Sequence, residues 1–166
     1  MDSQSENKLR IVVADDHPKV IKTVSELLGT EFELVGSAKN GLEAIGAVAQ
    51  FKPDVLITDI EMPMMDGIRA ARHLRRIGCN VNIVFISSSP DPEVASAAMS
   101  DHGSGFVLKS RMATDLVQAV REVIVGGQFV SETVHAALAA YQTGLAAGTA
   151  GLTLERNCGS AICDAL

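Results

Sequence analysis

Tryptophan is absent and tyrosine occurs once, at Tyr141, so a stacking platform for single-stranded nucleic acid is poorly supported. Positive charge is also short, with 14 Lys plus Arg against 20 Asp plus Glu and a net charge of -6. A nucleic-acid binder usually carries the opposite surplus, because phosphate neutralisation supplies most of its affinity. The cysteines, Cys79, Cys158 and Cys163, are few and odd in number, at spacings that match no zinc pattern. They read as reduced thiols in a reducing compartment. No apolar run approaches membrane-spanning length, and Met1 to Asn7 is polar and acidic rather than a secretory signal. The cytoplasm is the expected location, with no membrane partner. A Walker loop and a Gly-x-Gly-x-x-Gly fingerprint are both missing, so nucleotide binding has no motif behind it.

What is present is an ordinary globular balance: 166 residues, 47% hydrophobic and 20% charged, enough for one domain with an appendage. Short β-branched runs alternate with segments of helical spacing. The runs are Leu9 to Ala14, Phe32 to Ser37, Asp54 to Thr58, Val81 to Ile86 and Gly105 to Leu108. Between them lie the apolar stripes Val20, Val24, Leu27, Leu28 and Leu42, Ile45, Val48, Ala49, with a thinner one at Ile68, Ala71, Leu74. A weakly patterned helix starts at Asp91-Pro92-Glu93, and Leu116, Val120, Val123, Ile124 form the last stripe before Gly126-Gly127. Strand-helix order repeated five times predicts an α/β fold, a doubly wound three-layer (βα)5 sandwich around a parallel sheet. Further on, Ser131 is expected to cap a short helix with the stripe Val134, Ala137, Leu138, Tyr141, packed on the main domain. The Thr, Gly and Ala that follow read as linker. The expected division is a main domain at 8–127, a short helical extension at 128–143 and a poorly ordered tail at 144–166.

The polar residues fall at the carboxyl ends of the strands: Asp15-Asp16, Asp59, Ser87 and Lys109. Open α/β sheets place their ligands there. Carboxylates about 4 Å apart repel by roughly 4 kcal/mol per pair at an effective dielectric near 20. A cation must offset this, and Mg²⁺ favours a small set of carboxylate oxygens. A carboxylate beside Mg²⁺ and a lysine can attack phosphorus.

Ile11 to Pro18 (IVVADDHP), Asp54 to Gly67 (DVLITDIEMPMMDG) and Gly103 to Lys109 (GSGFVLK) resemble the CheY-like receiver domain of bacterial response regulators. The Asp-Asp-His-Pro start, Ala38-Lys39-Asn40-Gly41 and Gly126-Gly127 resemble its NarL/FixJ (LuxR-type) branch. The resemblance covers about residues 8 to 130 and implies a flavodoxin-like, five-stranded sheet of order 2-1-3-4-5. It implies Asp59 as phosphoacceptor for a sensor histidine kinase or phosphotransfer protein. It implies Mg²⁺ held by Asp16, Asp59 and the backbone carbonyl of Glu61, with Asp15 acting through a water. Ser87 and Phe106 become switch residues and Lys109 a phosphoryl contact. Phosphorylation would reshape the surface of the fourth helix, fifth strand and fifth helix, and favour a homodimer. Such a protein is a signalling phosphoacceptor with self-catalysed transfer and autodephosphorylation, not a metabolic enzyme.

Ser110 follows Lys109 where many receivers have proline, and Ser88-Ser89 extend the switch hydroxyl to a triplet. Glu61 puts an acid where phosphate lifetime is commonly tuned. Gly151 to Arg156 faintly resembles the opening of the branch's helix-turn-helix domain, but ten residues remain after it. The expectation is a receiver lacking a complete output domain, reaching DNA only if such a domain exists. Two other readings stand beside this one. A haloacid-dehalogenase-like phosphatase also uses an Asp nucleophile and Mg²⁺, but wants Asp-x-Asp after its first strand, and only Asp59-Ile60-Glu61 has that spacing. A phosphate-independent interaction module does not need the five polar residues to be intact. Singly, each of these, and Phe106 with them, has a bland reading: Asp15-Asp16 as a helix cap, Asp59 as a turn residue, Ser87 as a loop hydroxyl, Lys109 as solvated, Phe106 as core. Their common edge decides against it. Histidines 17, 73, 102 and 135 are scattered, and a metal or phosphohistidine role is disfavoured for each. Arg69, Arg72 and Arg76 read as a solvated face.

Overall fold

A computed structural model describes residues 8–101 and 104–143. The two C-terminal cysteines, His102 and the Gly151 to Arg156 segment lie outside the described residues. Six parallel strands form one sheet of order β2-β1-β3-β4-β5-β6. They are β1 (Leu9–Ala14), β2 (Phe32–Ala38), β3 (Val55–Asp59), β4 (Asn82–Ser87), β5 (Gly105–Leu108) and β6 (Phe129–Val130). The helices are α1 (Pro18–Leu28), α2 (Gly41–Phe51), α3 (Gly67–Arg76), α4 (Pro92–Asp101), α5 (Met112–Ile124) and α6 (Glu132–Gln142).

The near-continuous apolar strands are buried on both faces, as parallel sheets require. Alternation divides them into two cores. Ile11, Val13, Val55, Ile57, Val84, Ile86 and Val107 face α1 and α5, where Val24, Leu28, Leu116, Val120 and Val123 meet them. Val12, Ala14, Leu56, Ile83, Phe85, Phe106 and Leu108 face the other way, toward Ala44, Val48, Ala71, Leu74, Ala95 and Ala98.

The sheet corrects the expected five strands to six. Phe129 and Val130 add to the edge of β5 in parallel, opposite Gly105 and Phe106. α6 then lies against α4, with Val134 and Leu138 in the same core as Phe106. The stripe therefore packs on the main domain as expected. Ser131 precedes α6 but makes no side-chain cap bond. Its hydroxyl donates instead to Asp115 Oδ2 at 2.8 Å and accepts the Leu108 amide at 3.1 Å. None of the described helices is long and apolar enough to cross a membrane.

Candidate functional site

Parallel register assembles the site. Ala14 pairs with Thr58, Asp59 with Ile86, and Ser87 with Leu108. Asp15, Asp59, Ser87 and Lys109 are therefore each the last residue of a strand or the first beyond it, on four consecutive strands. Asp15 is fully buried, Asp59 is 4% exposed and Ser87 5%.

Asp15 and Asp16 do not cap α1. His17 takes the cap position, without a side-chain cap bond, and Pro18 opens the helix. Both carboxylates are left for the site. Lys109 reaches back between the strands, its Nζ 2.9 Å from Asp15 Oδ2 and 3.2 Å from Asp59 Oδ2. Asp16 Oδ1 is nonetheless a buried atom without a hydrogen bond of good geometry. One cation among three acids is too little, and the remaining oxygens suit a hard divalent ion. The Asp59 carboxyl is pushed above its usual range, first by burial and then by the charge of Asp15, against the pull of Lys109. Burial alone would lower Lys109, but its hydrogen bond to Asp15 and the charges of Asp59 and Asp15 outweigh that and raise it. Lys109 is thus held as an ammonium.

The loop after β3 closes over Asp59. Gly67 donates its amide to the Ile60 carbonyl at 2.8 Å, and a Cβ there would collide with the Asp59 carbonyl oxygen. Asp66 N-caps α3 through the Arg69 amide. Asp16 and Glu61 both line a cleft of about 750 Å³ between this loop and α4. Glu61 itself is exposed.

Ser87 stands at the strand end, but its hydroxyl is turned to Ser89, accepting that amide at 3.0 Å and touching its carbonyl at 3.4 Å. Phe106, expected as the aromatic switch residue, is fully buried, in a core shared with Val134 and Leu138 of α6. His17, for which the sequence disfavours a metal role, lies against the cluster. Its Nδ1 lies 3.1 Å from Asp15 Oδ1 and 3.2 Å from Asp16 Oδ1. Adjacency to the Asp pair was the available signal.

The response regulator receiver domain model matches residues 11–121. A transcriptional regulatory protein DegU from Brevibacillus brevis is 33% identical over 128 residues, which is 76% of this chain and 54% of that protein. A probable transcriptional regulatory protein NarL from Mycobacterium tuberculosis is 31% identical over 143 residues, 84% of this chain and 65% of that protein. The chain thus spans between about half and two thirds of these relatives. Among solved structures, a LuxR-family two-component response regulator from Aurantimonas sp. SI85-9A1 superposes with a TM-score of 0.78 at 27% identity, covering 82% of this chain and 99% of the other. Motif order, sheet order and the four polar strand ends agree with this kinship, and the chain belongs to the response regulator receiver domain family, with relatives in its NarL/LuxR branch.

Proposed function

We propose that Asp59 accepts a phosphoryl group from the phosphohistidine of a sensor kinase or a phosphotransfer protein. The observation that carries this reading is the Lys109 ammonium, within 3.2 Å of both Asp15 and Asp59 at the end of four parallel strands. In the transfer, an Asp59 carboxylate oxygen forms the new O–P bond as the donor's N–P bond breaks. The electron pair of that bond leaves with the histidine nitrogen, which takes up a proton. Lys109 offsets the charge on the moving oxygens.

The donor set fits Mg²⁺: Asp16, Asp59 and the Glu61 backbone carbonyl would hold it directly, and Asp15 through a water. The buried Asp16 Oδ1, without a hydrogen bond of good geometry, and the close set of Asp15, Asp16 and Asp59 oxygens support that fit. When bound, Mg²⁺ supplies neutralisation of the phosphoryl oxygens. As a donor Ser87 makes a long 3.4 Å contact, so its proton can be redirected toward a phosphoryl group, at the cost of the bond it accepts from the Ser89 amide if the side chain turns. Phe106 then acts by repacking within the core it already occupies. The reading places the protein in the cytoplasm, with a homodimer favoured by phosphorylation, and with transcriptional output only through a further DNA-binding domain.

Acetyl phosphate with Mg²⁺, followed by borohydride reduction, tests this. The account expects homoserine at position 59 in the peptide map, and its loss when the metal is chelated. Label at another carboxylate, or undiminished label without metal, contradicts it.

A further inference from the structure

His17 closes the fourth side of the acidic cluster. With no capping bond to make, its ring folds back over the carboxylates, and its backbone amide also donates to Asp15 Oδ1 at 2.8 Å. One donor atom each from Asp15, Asp16, His17 and Asp59 lie within 4.8 Å of one another. Asp15 in that set is fully buried. The imidazole is 67% exposed, so it can turn toward a cation without disturbing the core.

We propose that His17 is a ligand of the cation, and that its nitrogen makes the site prefer Mn²⁺ or Co²⁺ to Mg²⁺. The inference rests on the receiver reading of the same carboxylates. Mg²⁺ is hard, keeps oxygen ligands and waters, and gains little from imidazole. Affinity for a mixed nitrogen and oxygen site rises from Mn²⁺ to Co²⁺, and imidazole suits these softer ions. If instead the ring only holds Asp15 in place by hydrogen bonding, its loss alters a carboxylate that every divalent ion uses, and all affinities move together.

Calorimetric titration of the full chain with Mg²⁺, Mn²⁺ and Co²⁺ separates these cases. His17→Ala and His17→Asn should weaken Co²⁺ and Mn²⁺ by roughly tenfold or more, while Mg²⁺ stays within about twofold. Electron spin-echo modulation of the Mn²⁺-loaded protein should show a directly bound nitrogen, absent from both variants. Equal weakening for all three ions, unchanged affinities, or no nitrogen coupling overturns the role of His17 while leaving the carboxylate site in place. Failure of the unaltered protein to bind any of the three overturns both this inference and the metal site beneath it.

Discussion

A single residue, Asp59, carries opposing demands. It is nearly buried at the proposed site of phosphoryl transfer, yet burial and Asp15 resist its charge. Its folded pKa is raised above the ordinary aspartate range, so over the window between the unfolded and folded values the folded state binds more protons than the unfolded one. Stability of the metal-free protein should therefore fall as pH rises through that window. Urea melts at stepped pH check this, and saturating Mg²⁺ should flatten the fall. By the same logic Asp59→Asn should leave the metal-free protein as stable or raise its melting temperature by a few degrees, although it removes the acceptor. Gly67 is the steric counterpart. Gly67→Ala drives a methyl into the Asp59 carbonyl and against Thr58 Oγ1. It should cost about 1–3 kcal/mol, as overpacking commonly does, and slow phosphorylation by acetyl phosphate relative to the unaltered protein.

At the scale of elements, β6 and α6 are fastened rather than appended. Ser131 is fully buried, and its hydroxyl bridges Asp115 on α5 to the Leu108 amide, one residue before Lys109. Arg111 and Thr114 also bond Asp115. Ser131→Ala strands the buried Leu108 amide and leaves Asp115 Oδ2 with Arg111 as its remaining partner, and should cost about 1–3 kcal/mol in chemical unfolding. Protection of α4 amides from hydrogen exchange should drop with it, because Val134 and Leu138 pack in the core that holds Ala95 and Ala98. These elements also mark where the sequence was readable. β1, β3 and β4 were legible because β-branched runs buried on both faces have few other uses. β6 was not, since two residues have no period and become a strand only by lying along the open edge of β5. Ser131 sits where a cap belongs and reads as one. Its hydroxyl is claimed by a partner 16 residues back, which no local pattern reveals. Adjacency to the Asp pair hinted at His17, but the turn after Asp16 sets the direction of its ring.

Across the whole molecule, the site was legible because its parts converge. Asp15, Asp59, Ser87 and Lys109 are unremarkable singly, and parallel register puts them on one edge. Phe106 is fully buried in the core that Val134 and Leu138 of α6 share. On the proposed reading, a signal from Ser87 would pass through that packed core. Ser87→Ala should still permit phosphorylation of Asp59 but uncouple it from the far surface. Amide spectra with beryllofluoride should show the full set of shifts across α4, β5, α5 and α6 in the unaltered protein and a truncated set in the variant. A full set in the variant would show that the hydroxyl is not the coupling element. The claim on which all of this depends is that Asp59 is the acceptor, and intact mass after incubation with acetyl phosphate and Mg²⁺ tests it most directly. The account predicts a gain of one phosphoryl group in the unaltered protein and none in Asp59→Asn, and a gain that survives the substitution would contradict it.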